Sequence, residues 1–252
     1  MNTEALFLLP LGIAVGMLGA LMGLGGGIIV VPVFMLGLSY SVTETVGTAM
    51  AIVFLNALSG AWAYSRQGTM LKKIALSFGM ATVPGAVLGS YVSEYFSGEL
   101  FQALFGVVLL LTAVNMLFKL KTAEAAAPYE ASAGHIRLGM AFSLAVGFVS
   151  SVLGIGGGIL HVPFMQQVLK MPIHTAIATS TGTLAISSLV GLLAHGAMGH
   201  VLWTEAVLTG IGALLGAQLG ALGAQRLSAK RLTAAFAIFV FCMGIKIVYA
   251  AI

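Results

Sequence analysis

The string GLGGGIIVVP at residues 23–32 returns as GIGGGILHVP at residues 154–163, which is 131 positions further along the chain. Both copies interrupt long apolar stretches. Each glycine weakens a helix by roughly 1 kcal/mol relative to alanine, and the proline that closes each string lacks a backbone donor. The pair therefore predicts two breaks in the backbone. Matched breaks in the two halves of a membrane protein are typical of a binding site.

The composition indicates that most of the surface faces lipid. Hydrophobic residues make up 60% of the 252 residues, charged residues make up 7%, and the mean hydropathy is +1.08. Soluble domains carry about 25% charged residues. We attribute the net charge of +4 to cytoplasmic loops and expect no nucleic-acid partner. The lone Cys242 excludes a disulfide framework within one chain. The class expected is an all-α polytopic membrane protein of about eight to ten segments.

The repeat extends well beyond the two glycine strings. With the same offset and no gap, the register holds from about Gly16 to about Met116, and it pairs Thr48 with Thr179. We therefore interpret the chain as a duplication. The expected organisation is an N-terminal transmembrane repeat over residues 1–120, a polar central linker over 121–136 and a C-terminal transmembrane repeat over 137–252.

Each half has the same hydropathy plan. The predicted segments are 5–23, 28–38, 44–64, 73–93 and 99–118 in the first half and 138–153, 159–169, 175–195, 205–225 and 231–251 in the second. The pieces 28–38 and 159–169 would reach only about 16 Å as helices, about half of a hydrocarbon core. We expect them to be half-helices or re-entrant arms, which are tolerated where protein or a water-filled cavity covers the open backbone.

The basic residues predict that the two halves are inverted. If each glycine-broken hairpin goes out and back, each half makes an odd number of passes. Ten of the eleven Lys and Arg then fall on one side, and Lys246 alone falls opposite. The positive-inside rule assigns the basic side to the cytoplasm. We therefore expect inverted-topology repeats with both termini outside.

The glycine breaks are candidate anion sites. A helix that starts just after three glycines presents unpaired N–H groups and the positive end of its dipole. Such an end binds an anion without a charged side chain. The alternative is that the glycines only permit tight helix packing. The candidate substrate-binding residues of the breaks are Gly25, Gly26, Gly27, Ile28, Gly156, Gly157, Gly158 and Ile159.

Polar residues on the following segments are further candidates. Thr48, Asn56, Thr179 and Ser180 could line a substrate path, or their hydroxyls could bond back to the helix carbonyl four residues earlier. His161 stands where the first copy has Val30. An ionisable group within a membrane is a functional hypothesis by default, so His161 could bind substrate or relay a proton. The alternative is a neutral histidine that is hydrogen-bonded to a neighbouring helix.

Other histidines and other chemistries carry less weight. His195 matches Tyr64 in the register, and we expect it at the membrane interface with no special role. The glycine string lacks the Lys-Ser/Thr of a nucleotide loop, and no HExxH motif is present. We expect no enzyme activity, no cofactor and no metal site.

The twin GxGGGxxxxP motifs, each followed by a threonine-bearing span, resemble the sulfite exporter TauE/SafE family of membrane permeases. The matching residues are 23–32 with Asn56, Gly60 and Gly68, and 154–163 with Gly191, His195 and Gly199. The resemblance covers nearly the whole chain. It implies an inner-membrane permease for sulfur-containing or related organic anions such as sulfite or sulfonates. It also implies a site at the glycines 25–27 and 156–158 with Thr48 and Thr179.

These expectations combine into a secondary transporter, an exporter by the resemblance, that works by alternating access at the two-fold interface. Its partners would be a small anionic substrate, the lipid bilayer and a proton as the candidate coupling ion. A passive anion channel with the same site is the main alternative, and an intramembrane enzyme is a weaker one. The identity of the anion, the direction, the coupling ion and the oligomeric state stay open at this point.

Overall fold

The computed structural model describes residues 3–96, 98–119, 132–224, 226 and 228–250. These residues form ten α-helices and no strand. A π-helical turn, Val33–Gly37, continues α2, and a 3₁₀ turn, Ser93–Tyr95, follows α4. The helices are α1 Thr3–Met22, α2 Gly27–Pro32, α3 Val42–Arg66, α4 Lys72–Val92, α5 Gly98–Lys119, α6 Ala133–Leu153, α7 Gly158–Gln167, α8 Ile173–Ala197, α9 Trp203–Ala224 and α10 Ala229–Ala250.

The all-α prediction is confirmed, and each predicted segment corresponds to one helix. The short pieces 28–38 and 159–169 are α2 with its π-helical turn and α7. Helix α6 begins at Ala133, earlier than the predicted segment 138–153, because the Ser132 hydroxyl accepts a hydrogen bond from the N–H of His135 (3.2 Å) and so caps the helix. Residues 120–131 of the predicted linker lie outside the described residues.

Five of the described helices are long and apolar enough to cross a membrane, judged by length and composition. They are α3, α4 with its 3₁₀ turn, α6, α8 and α9. Shorter apolar stretches occupy α1, α2, α5 and α10. The outer faces of these helices expose large apolar side chains such as Trp62, Leu111 and Leu193. A surface of this kind belongs in lipid rather than in water.

The helix pairings show that the two halves interlock about a pseudo-two-fold axis. The pair α1–α9 corresponds under the repeat register to α6–α4, and α3–α9 corresponds to α8–α4. The pairs α3–α8 and α5–α10 correspond to themselves. All of these pairs join one half to the other. The repeats are therefore units of sequence that build a single bundle together.

The contacts of the glycines give the direction of each helix. Gly12 lies against the carbonyl of Thr209 and Gly16 lies against that of Ala213, so α1 and α9 run parallel. Along α3 and α8, in contrast, Met50 meets Gly191 whereas Gly60 meets Thr181, so these two helices are antiparallel. We call the side where α3 ends and α6 begins the linker face, and the side where α1 begins and α8 ends the terminal face.

The hairpin of each half enters from a different face. The hydroxyl of Thr48, near the start of α3, accepts a hydrogen bond from the N–H of Leu202, which directly precedes α9 (3.0 Å). Thus α1, α3 and α9 all begin at the terminal face, and α2 must return to it. In the second half Thr179 accepts a bond from the N–H of Leu71 (3.2 Å) at the linker face, to which α7 returns. The predicted inverted-topology repeats are confirmed.

Candidate functional site

The two glycine breaks meet at the middle of the bundle. A Cβ on Gly27 would collide with the carbonyl of Gly154, and a Cβ on Gly158 would collide with the carbonyl of Gly23. The first residue of each half-helix therefore lies against the backbone of the other break. The glycines thus pack tightly, as the alternative from sequence proposed, and the packing brings together the glycine breaks of both halves.

Gly26 and Gly157 hold the turn from which each half-helix begins. They are the N-cap residues of α2 and α7, with φ of 84° and 85°. This left-handed conformation costs roughly 1–2 kcal/mol for a residue that has a Cβ. The chain can therefore reverse here without a long loop because these positions are glycine.

Four N–H groups at each break have no acceptor among the described residues. In the first break, Ile29 and Val30 donate to the carbonyl of Gly26 (3.0 and 3.2 Å). In the second, Leu160 and His161 donate to the carbonyl of Gly157 (3.1 and 3.0 Å). The free N–H groups are those of the candidate residues Gly25, Gly26, Gly27 and Ile28 and of Gly156, Gly157, Gly158 and Ile159.

The half-helices direct these N–H groups at one region. Because α2 runs back to the terminal face and α7 runs back to the linker face, both amino ends point at the middle of the bundle. Each helix end carries a partial positive charge of up to roughly half an elementary charge. The middle of the bundle is therefore electropositive, although no Lys or Arg lies in either break.

Asn56 adds a side chain to this region. It is 1% exposed, and neither its Nδ2 nor its Oδ1 has a hydrogen-bond partner. Its Nδ2 lies beside Gly26, 3.3 Å from the point that a Cβ there would occupy, and it also abuts Gly19. An unsatisfied buried polar group costs about 1–3 kcal/mol. The carboxamide of Asn56 is thus available to a ligand at the first break.

The second half has a different pair of residues at the same place. The register replaces Gly19 with Ser150 and Asn56 with Ser187. The hydroxyls of Ser150 and Ser187 lie 3.5 Å apart and can bond each other. The first half therefore has a glycine beside a large amide, and the second half has two small hydroxyls at the same place. The unpartnered polar group lies only on the Asn56 side of this matched pair.

Thr48, Thr179 and Ser180 brace the backbone. The two threonine hydroxyls accept the cross-half bonds from Leu202 and Leu71 described above. The Ser180 hydroxyl donates to the carbonyl of Gly23 (3.1 Å). Neither threonine bonds back to its own helix, the alternative considered from sequence. Their matched positions give the two ends of the bundle equivalent caps, and a role in binding substrate stays a prediction.

His161 lies inside the α6–α7 hairpin and is fully buried. Its Nε2 is 3.0 Å from the hydroxyl of Ser143, and its Nδ1 is 3.2 Å from the carbonyl of Gly157. A neutral ring with its proton on Nδ1 donates to Gly157 and accepts from Ser143, which satisfies both nitrogens. This geometry matches the alternative of a histidine bonded to a neighbouring helix. Substrate binding or proton relay by His161 stays a prediction.

Tyr64 and His195 are the residues that sequence reasoning undervalued. Both are buried (2% and 0% exposed), so both rings face the interior of the bundle, and the expected position of His195 at the membrane interface stays a prediction. The Tyr64 hydroxyl donates to the carbonyl of Ala20 (2.7 Å), and Nε2 of His195 bonds the carbonyl of Ser151 (3.3 Å). These carbonyls belong to the last turns of α1 and α6, just before the breaks. The signal in the sequence was that two residues matched in the register, Tyr64 and His195, both carry a ring with a hydrogen-bond donor at its tip.

The axis between the breaks is closed by apolar side chains. Val53 and Leu184, which match in the register, are both fully buried and pack against Gly25 and Gly156. A separate cleft of about 330 Å³ lies between α5, α6 and α7, outside the breaks. Within the described residues no three His, Cys, Asp or Glu side chains converge as metal ligands.

The chain matches the family model described as sulfite exporter TauE/SafE over residues 8–247. It is 32% identical to the probable membrane transporter protein YunE of Bacillus subtilis (strain 168), over 97% of each chain. It is also 29% identical to a probable membrane transporter protein of Xylella fastidiosa (strain Temecula1), over 94% of this chain and 91% of the relative. No solved structure matches. The chain therefore belongs to the sulfite exporter TauE/SafE family and is a membrane transporter.

Proposed function

We propose that this transporter exports small sulfur-containing or organic oxyanions, such as sulfite or sulfonates, across the cell inner membrane. The description of the family names sulfite export. The single observation that carries the proposal is Asn56, whose buried and unpartnered carboxamide lies beside the N-cap of a half-helix. We propose transport without chemical change of the substrate, with no cofactor.

The donors at the two breaks suit an oxyanion. Backbone N–H groups and the Nδ2 of Asn56 can bind several oxygens of one small anion, and the two helix ends supply positive potential. A site made of dipoles holds the anion less tightly than buried Lys or Arg would. Moderate affinity is an advantage in a carrier, which must release its substrate on the other side.

The basic residues support an orientation in the membrane. Arg66, Lys72 and Arg137 lie at the linker face, and so do Lys170 and Arg226. By the positive-inside rule the linker face is cytoplasmic, and both termini are outside. Export then requires that the site opens first to the linker face and then to the terminal face.

Closure of the axis by Val53 and Leu184 supports a carrier rather than a channel, because a channel needs a continuous path. In proteoliposomes a carrier shows saturable flux and counterflow of labelled sulfite. A passive channel would instead show conductance without counterflow, and this result would contradict alternating access. Recovery of chemically altered substrate would indicate an enzyme.

Replacing Asn56 tests the site. We expect Asn56→Leu to weaken sulfite binding to the purified protein by about tenfold or more, because one hydrogen bond to a charged group is lost. Sulfate, thiosulfate and sulfoacetate complete the panel. Thr209→Val is the matched control, since the Thr209 hydroxyl is also buried and unpartnered but lies on α9 against α1.

Unchanged affinity in Asn56→Leu would contradict a site at the first break. If that variant does not fold, Asn56→Ser provides the same test with a small side chain, because serine is the residue found at the matched position 187. We expect Asn56→Ser to bind more weakly than the wild type, since the shorter hydroxyl does not reach Gly26.

A further inference from the structure

A chain of titratable side chains connects the terminal face to the end of α6. Nδ1 of the buried His195 lies 3.3 Å from Nδ1 of His200, and Nε2 of His200 lies 3.4 Å from a carboxylate oxygen of Glu94. The side chain of His200 is 16% exposed and that of Glu94 is 41% exposed. At the inner end, Nε2 of His195 bonds the carbonyl of Ser151. The chain thus runs from solvent to the last turn before the second break.

The partners at both ends of this chain determine how many protons it holds. The Ser151 carbonyl only accepts, so Nε2 of His195 carries a hydrogen. The Glu94 carboxylate also accepts, so Nε2 of His200 carries a hydrogen as well. One further hydrogen is needed between the two Nδ1 atoms. Three ring hydrogens satisfy all of these contacts, whereas two neutral rings supply only two.

The additional proton can be placed on either ring. If it moves from Nδ1 of His200 to Nδ1 of His195, the positive charge moves from the partly exposed ring to the buried one. Both Nε2 hydrogens stay in place during this step, so every other contact is kept. The pair can therefore carry charge inward with no change of rotamer.

The first half makes the same structural contact without this property. Tyr64 occupies the position of His195 and donates to the matched carbonyl of Ala20. A phenol does not gain a proton near neutral pH. Bracing of the helix end therefore does not require a histidine at position 195. The histidine adds the ability to take up a proton in the second half.

We propose that Glu94, His200 and His195 form a proton-binding relay that takes up the coupling proton from the terminal face and delivers it to the end of α6. The coupling role rests on the proposed anion transport. Protonation places a positive charge next to Ser151, the neighbour of Ser150, whose side chain lies beside Gly157 of the second break. A proton entering from outside while an anion leaves toward the outside would drive export in the direction proposed above.

The other ionisable groups nearby are compatible with this relay. Glu44 on α3 lies within electrostatic range of His200. Glu205, in the first turn of α9, accepts a hydrogen bond from the Tyr40 hydroxyl (3.3 Å). The Ser151 hydroxyl is bonded to that of Ser90 (2.6 Å), which fixes the end of α6 against α4.

His195→Tyr is the decisive variant, because it reproduces the residue of the first half. We expect it to retain the bond to the Ser151 carbonyl and to lose the proton acceptor. The quantity measured in proteoliposomes is the ratio of sulfite accumulation driven by a pH gradient to sulfite counterflow at equal pH. We expect this ratio to be about fivefold lower, or more, in His195→Tyr than in the wild type. His174→Thr is the matched control: it removes a histidine outside the relay and restores the residue of the first half at that position. We expect it to leave the ratio unchanged.

A ratio in His195→Tyr equal to that of the wild type would overturn the relay. If His195→Tyr does not fold, Glu94→Gln tests the outer end at an exposed position, and we expect a reduced ratio there too. Absence of counterflow in the wild type would contradict the proposed function instead. The relay is then decided by ¹⁵N NMR of histidine-labelled protein: signals of His195 and His200 that change together over one pH range support it, and independent changes refute it.

Discussion

At the scale of single residues, the glycines of the breaks serve two distinct purposes. Gly26 is required by its own backbone, which has a φ of 84°. Position 27 must be glycine for a different reason, because the carbonyl of Gly154 occupies the space that a Cβ on residue 27 would need. The sequence showed both as members of one string. Only the structure separates a requirement for backbone conformation from a requirement for space.

Gly26→Ala tests whether the shape of the break holds the anion. The new Cβ would adopt a disfavoured left-handed conformation and would approach Val15 and the Nδ2 of Asn56. We expect the free energy of unfolding to fall by about 1–3 kcal/mol. We also expect sulfite affinity to fall by about tenfold, since both the N–H groups and Asn56 shift. Denaturation in detergent and equilibrium binding measure the two effects.

Gly68→Ala is the control for this substitution. Gly68 also has a positive φ (73°), but nothing lies within 4 Å of the Cβ position. We expect it to lose stability of roughly 1 kcal/mol from backbone strain alone and to bind sulfite as the wild type does. If Gly26→Ala affects binding no more than Gly68→Ala, the N-cap of α2 is not part of the site.

At the scale of elements, hydropathy and length were enough to predict the hairpins. The pieces 28–38 and 159–169 were too short to span, and the structure shows them as returning half-helices. The cross-half bonds of Thr48 and Thr179 were not predicted, because a sequence does not show which backbone N–H a distant hydroxyl reaches. The first half has Asn56 beside Gly19, whereas the second half has Ser187 beside Ser150. The sequence did not show that the members of each pair are adjacent, so this difference could be interpreted only from the structure.

Labelling of the hairpin tips tests their entry from opposite faces. Ser39 and Lys170 occupy matched positions just after α2 and α7, both are exposed, and their φ values are 58° and 59°. In a background with the exposed Cys242 replaced by serine, we expect an impermeant thiol reagent added outside cells to label Ser39→Cys. Lys170→Cys should react only after the membrane is permeabilised.

Labelling of both sites from the same side would contradict the inverted arrangement, because the matched tips would then share a face. Labelling of each site from the side opposite to that expected would keep the inversion and reverse the orientation inferred from the basic residues. The two substitutions carry similar backbone strain, so a difference in reactivity reports accessibility rather than folding.

At the scale of the whole molecule, the pseudo-two-fold axis creates two equivalent closures. Met50 contacts Gly191 between the central Val53–Leu184 pair and the terminal face. Gly60 contacts Thr181 at the matched place on the side of the linker face. Each closure joins α3 to α8, the two antiparallel helices that map onto each other. Opening one closure while the other stays shut is what alternating access requires of this bundle.

Cross-linking each closure tests this mechanism. We expect a short bifunctional thiol reagent to bridge Met50→Cys with Gly191→Cys, and in a second variant Gly60→Cys with Thr181→Cys, both without Cys242. Each bridge should abolish counterflow of sulfite, and a reducing agent should restore it if the reagent forms disulfides. The two bridged proteins should bind sulfite only from opposite sides of the membrane, because each locks a different closure.

A rigid channel behaves differently: either bridge would block conductance, and neither would reverse the side from which the site is reached. Equal access from both sides in the bridged proteins would therefore exclude rocking of α3 against α8 as the transport step.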